Sequence, residues 1–184
     1  LFVGAETPFG QWEVIDFLAA CYPTVGESLA RIGRYFALIK ESVEFVVDSD
    51  AGGLPYVEFR HRLSARDEFF DEYTTGIFLA HFRALSRADL RLAAAHSVRE
   101  RPRDADLRAR IAAYLGCEPT YGATYSRMVF TRADWEAPLI AANPRLRVTL
   151  EAHASELVAE LTRTKGLGER VRAVEHELGR LERR

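Results

Sequence analysis

The chain has 184 residues, 48% of them hydrophobic and 28% charged, with 25 Lys plus Arg against 27 Asp plus Glu and a formal net charge of −2. This length and mixture suit one domain with a full core and exclude a disordered chain. The missing basic excess weighs against a surface that binds nucleic acid by itself.

Two cysteines, Cys21 and Cys117, lie far apart and form no C-x-x-C pair, so they read as buried free thiols. No signal peptide is visible and no apolar run approaches a membrane span, so a cytoplasmic location without membrane contact is expected. The chain begins at Leu1 without Met and stops part-way through a helical pattern, which reads as a piece of a longer polypeptide.

The first element is a short helix at about 11–21, stopped by Pro23. Thr24 and Glu27 then form a T-x-x-E capping box. Leu29, Ile32, Phe36 and Ile39 follow at helical spacing. The period then changes to two. Val43, Phe45 and Val47 alternate with Glu44 and Asp48, and Asp50-Ala51-Gly52-Gly53 is a turn signal. Val57, Phe59, His61 and Leu63 alternate with Glu58, Arg60 and Arg62, completing a β-hairpin with one apolar and one charged face. Ser64 and Asp67 start a long helix at about 65–85, with Phe69, Tyr73, Ile77, Phe78, Phe82 and Leu85 on its core side. Its early acidic residues, Asp67, Glu68, Asp71 and Glu72, complement the positive end of the helix dipole.

A third strand is expected at about 90–99, with Leu92, Ala94, His96 and Val98 on one face. Asp104 caps a helix that Gly116 stops, and a fourth strand follows near 123–130. Asn143-Pro144 opens a last long helix in the favoured order of cap then proline. Gly166-Leu167-Gly168 is expected to break it, with a new helix beyond. The element order predicts an α+β fold: a mainly antiparallel four-stranded sheet packed by helices, with a long C-terminal helix.

The sequence holds no G-x-S-x-G elbow, no P-loop, no G-x-G-x-x-G and no H-E-x-x-H, so no enzyme and no cofactor are expected. Two histidines, His61 and His96, are predicted on the apolar faces of their strands. Such residues either satisfy themselves against backbone or contact a ligand, and no third group suggests a metal. With Phe45, Phe59, Phe69 and Tyr73 they mark a candidate effector pocket between the sheet and the 65–85 helix, the alternative being ordinary core. Arg60 is predicted to point outward. Leu146, Leu150, His153, Leu157 and Leu161 make a narrow stripe on the last helix, which packs either on its own sheet or on the same helix of a second subunit.

Three stretches together resemble one family. "PTVGESLARIGRYFALI" at 23–39 looks like its helix before the first hairpin. "AAAHSVRERPRDADLRARIAAYLGCEPTYGATYSRMVFTRADWEAPL" at 93–139 looks like its second half. "GLGERVRAVEHEL" at 166–178 resembles a linker and the first helix of a helix-turn-helix unit. The ordered series resembles the arabinose-binding-type N-terminal domain of AraC/XylS-family transcription regulators. The resemblance implies an effector-binding and dimerisation domain at 1–165, followed at 166–184 by a linker and the start of a truncated helix-turn-helix domain. It implies a small effector, apolar or weakly acidic by the pocket's residues, a homodimer, and DNA contact only through the missing C-terminal helices. A pure dimerisation or protein-interaction domain is the alternative. An additional N-terminal helical section expected upstream is cut back, and no sugar-specific set of side chains is present.

Overall fold

The computed structural model describes residues 1–49, 53–62 and 67–181, with side chains through residue 164. Its elements are α1 (Phe2–Ala5), α2 (Val14–Ala20), α3 (Val25–Ile32), a 3-10 segment (Gly33–Leu38), β1 (Val43–Asp48), β2 (Tyr56–His61), α4 (Glu68–Ser86), β3 (Leu92–His96), α5 (Ala105–Leu115), β4 (Ser126–Phe130), α6 (Arg132–Trp135) and α7 (Pro144–Leu181). The strands form one antiparallel sheet in the order β1-β2-β4-β3. The fold is α+β. The expected turn at residues 50–52, the strand position Leu63 and the helix-start signal Ser64 lie outside the described residues.

The capping chemistry sets the helix starts. Thr24 accepts from the Glu27 N–H at 3.2 Å, Asp67 from Phe70 at 2.9 Å, Asp104 from Asp106 and Leu107, and the Asn143 side chain from Leu146 at 3.0 Å. Gly116 closes α5 at φ +89°, a conformation that L side chains rarely adopt.

Residues directly opposed in an antiparallel pair share a face. The rows Phe45–Phe59–Ser126 and Val47–Val57–Met128–Ala95 therefore face the helices. Behind them Phe36, Phe45, Phe59 and Phe78 pack ring on ring, with centroids 4.7–6.0 Å apart. The W-x-x-P-L segment at 135–139 docks on α3 at Gly26, where an added Cβ would lie 2.2 Å from the Trp135 Nε1.

The structure corrects four expectations. β3 carries a register shift between Leu92 and Ala94, so Leu92 and Ala95 are the buried pair. The extra residue of a bulge reverses the alternation beyond it. His96 is consequently opposed to Arg127, on the sheet face away from His61. Second, the charged side of β2 is not simply solvated. Glu58 is fully buried, accepting from Arg60 Nε at 2.6 Å and from Arg127 Nε at 2.7 Å, with Arg127 over the Tyr56 ring. Paired guanidinium groups are what makes such a burial tolerable. Third, Phe69 is 67% exposed rather than part of the core side of α4. Fourth, α7 runs unbroken through Gly166-Leu167-Gly168. A glycine costs only about 1 kcal/mol in a helix interior, which good helix formers on both sides offset.

One close approach organises the helical layer. α1 lies against α4 at Gly4 and Gly76. An added Cβ on Gly4 would sit 2.0 Å from the Tyr73 carbonyl oxygen, and one on Gly76 2.1 Å from the Leu1 carbonyl oxygen. Both are backbone atoms and cannot swing aside. Gly76→Ala should therefore lower stability by about 1–3 kcal/mol, the usual cost of overpacking. Urea denaturation checks this, and an unchanged midpoint would show that α1 is not held against α4.

Candidate functional site

The expected pocket residues do not gather into one site. Phe45 and Phe59 belong to the ring cluster of the core. Phe69 stacks on Tyr73 at 6.0 Å on the outer side of α4, and the Tyr73 hydroxyl accepts from the Thr7 hydroxyl at 3.2 Å. His61 faces inward, where its Nε2 meets the Asp71 Oδ1 at 2.8 Å. His96 borders the sheet–α4 space from the end of β3.

Asp71 is the residue that sequence reasoning missed. Its place in the first turn suggests a helix-start carboxylate, but it shares a side of α4 with Thr74 and Phe78, at spacings of three and four, and is 1% exposed. A carboxylate on the apolar side of a helix, beside an inward histidine of a neighbouring strand, was the available signal. Asp71 Oδ2, Thr74 Oγ1 and the Tyr121 hydroxyl have no hydrogen-bond partner among the described residues. Asp71 and Tyr121 line a cavity of about 40 Å³, closed by Ser126, Ile111, Leu115 and Met128. That space suits on the order of one to three waters, which buried polar groups of this kind need. Pockets for metabolites are roughly 300–1,000 Å³.

A space of that larger size lies elsewhere. A groove of about 440 Å³ opens between residues 11–15, Leu38 and Ile39 on one side and residues 157–164 of α7 on the other. Leu157 and Leu161 of the expected dimer stripe line it. Leu150 packs on its own core, while Leu146 and His153 are exposed. Among the described side chains of α7, the fully buried one is Ala154, which the stripe omits. The helix is therefore seated with its centre to one side of the stripe. Tyr22 of the loop after α2 donates to Glu151 at 2.7 Å and fixes that seating.

The N-terminal wall of the groove is anchored to α4. Asp16, 4% exposed, accepts from the Gly10 and Trp12 N–H groups at 2.9 and 3.0 Å. His81 of α4 places Nδ1 at 3.5 Å from Asp16 and its Nε2 at 3.1 Å from the Thr7 carbonyl oxygen. Burial opposes a charge on His81, but the bonds to Asp16 and Thr7 outweigh it and raise its pKa. Among the described residues there is no cluster of His, Cys, Asp and Glu that could hold a metal ion, and no helix long and apolar enough to cross a membrane.

Burial raises the Asp71 carboxyl above its ordinary value of 3.8, with Ser126 and His61 pulling the other way. A carboxyl raised in this way stabilises the fold fully below pH 3.8 and loses that contribution as pH rises through the raised value. Asparagine mimics the protonated form. Asp71→Asn should hold or raise the Tm at pH 7.5 and flatten its fall between pH 4 and 7.5. Each tenfold change in acidity corresponds to about 1.4 kcal/mol. A lower Tm for the variant at pH 7.5 would show that the bond between the Asp71 carboxylate and His61 holds the site instead.

The family model for the arabinose-binding domain of AraC transcription regulators, N-terminal, matches residues 1–139. The crystal structure of transcriptional regulator CdpR from Pseudomonas aeruginosa superposes with a TM-score of 0.60 at 18% identity, covering 78% of this chain and 46% of that one. The likeness is one of fold, and the chain spans about half the length of that neighbour. No curated protein matches the chain. Family and neighbour are transcription regulators rather than enzymes. With three quarters of its length under the family model, the chain belongs to the arabinose-binding N-terminal domains of AraC transcription regulators.

Proposed function

We propose that this domain senses a small, mainly apolar effector in the groove between residues 11–15 and α7, and passes the signal on through that helix. The observation that carries this reading is the groove itself: about 440 Å³ of open space with α7 as one wall. A ligand that fits one seating of α7 better than another shifts the population between them. The domain reading places the approach to the DNA-binding helices of a cytoplasmic regulator at 166–184, which α7 enters without a break, so a shift of α7 would reposition them. His61, Asp71 and the aromatic cluster then serve as the rigid backing against which α7 moves.

A second reading concerns self-association. Ile140 just before α7, and Leu146 and Val148 in its first turns, are 58%, 46% and 63% exposed, and regulators that read two half-sites bind as two-fold dimers. We assign the dimer contact to the exposed part of the stripe, Leu146 and His153, with Leu157 and Leu161 left to the groove.

Two experiments test these readings. A saturating apolar effector at 100 Kd should raise stability by about 2.7 kcal/mol, or roughly 5–10 °C in Tm for a domain of this size. Leu161→Trp should fill the groove and remove that shift. A stabilising compound that still binds the variant would place the site elsewhere. In sedimentation, Leu146→Glu with His153→Glu should convert a dimer to a monomer, and a monomeric parent chain would remove the dimer assignment.

A further inference from the structure

The groove has a chemical character that narrows its ligand. Its floor is apolar, built from Val14, Ile15, Leu38, Ile39, Leu157 and Leu161. Trp12 adds an aromatic wall, its ring held edge-on to Phe78 at 5.4 Å. The charged groups among its lining residues are two carboxylates, Glu13 and Glu160, and none of the lining residues is Lys, Arg or His. The neighbouring Lys40 is turned away, its ammonium bonded to Asp67 and set 4.5 Å over the Phe70 ring. Arg163 approaches Glu160 at 3.4 Å, but both side chains are at least 70% exposed, and such pairs hold weakly enough to release the carboxylate.

Glu13 is also held in an unfavourable backbone conformation. Its φ and ψ are +46° and −120°, near the position of a type II′ turn that glycine normally fills. The surrounding bonds enforce it: the Glu13 N–H donates to the Gly10 carbonyl at 3.0 Å, and Asp16 accepts from the Gly10 and Trp12 N–H groups of the segment leading into it. A strained non-glycine residue survives where the fold over-determines it, and such residues cluster at ligand clamps. Here the strained residue is an exposed glutamate among the residues that line an apolar groove.

Resting on the reading of this groove as the effector site, we infer that it takes a small apolar organic cation, an amine or substituted ammonium on an alkyl or aryl body. The body lies on the leucine and isoleucine floor and the charge meets Glu13 and Glu160. A weakly acidic effector, which the aromatic and histidine content suggested, would meet two like charges instead.

The test uses matched probes on the whole 184-residue chain. Phenethylamine, 3-phenylpropionate and 2-phenylethanol share one body, as do hexylamine, hexanoate and hexanol. In calorimetric titration each amine should bind at least tenfold more tightly than its acid and its alcohol, and more weakly as salt is raised. Glu160→Gln, on an exposed helix position, should weaken the amine severalfold without changing the circular dichroism. Glu13→Gly suits the positive φ, so it should raise the Tm of the free domain while weakening the amine tenfold or more. If an acid or alcohol binds as well as its amine, or if both variants keep the amine affinity, the cation assignment is overturned while the groove reading stands. If Leu161→Trp leaves binding unchanged, or if no probe binds the parent chain, the groove reading falls with it.

Discussion

A helix buried through its middle has to pair most of the polar groups it carries there, and α4 is such a helix. From Thr74 to Phe82 almost every residue is buried. Its polar groups are therefore used as ties. Asp71 reaches His61 of β2. The Gly76 carbonyl accepts from the Tyr114 hydroxyl of α5 at 2.9 Å. His81 bridges Asp16 and Thr7 of the N-terminal section. Arg83 donates to the carbonyls of Leu90 and Tyr114. Together the ties join α4 to β2, α5, the N-terminal section and the segment before β3, and the cost of leaving these groups unpaired in a dry interior holds the parts together.

This arrangement bears on where the proposed effector would act. The space between sheet and α4 is filled by phenylalanine rings, with about 40 Å³ left over beside Asp71. Close-packed interiors of this kind resist gradual deformation. α7 is attached differently. It rests on the rest of the domain through one side, along Leu150 and Ala154, and opens a groove at Leu157 and Leu161, where residues 11–15 stand away from it. Under the proposed reading, a ligand in that gap would favour one seating of α7 over another.

Much of the architecture was legible from local chemistry. The period-two alternation of Val43–Val47 and Val57–His61 locates the hairpin, and Thr24, Asp67, Asp104, Gly116 and Asn143 mark helix ends by hydrogen bonds or backbone angles that other residues serve less well. What escaped was non-local. Placing β4 between β2 and β3 buries Glu58 beneath Arg127, and no pattern within β2 announces that neighbour. The irregularity after Leu92 sends His96 to the other face, because one added residue reverses every later position. The groove joins residues 11–15 to residues 157–164. Its parts are separated by most of the chain, and only the docking of α7 brings them together. Glu13 could have been suspected only from its backbone angle, which a sequence does not display.

The most direct test of a rigid block with a movable α7 is amide hydrogen exchange on the whole chain with and without a bound amine. The account predicts slower exchange on binding at residues 11–15 and 157–164, and unchanged protection along α4 and the four strands. Protection that appears instead around Asp71, Ser126 and Tyr121, with α7 unaffected, would contradict it and return the site to the space between the sheet and α4.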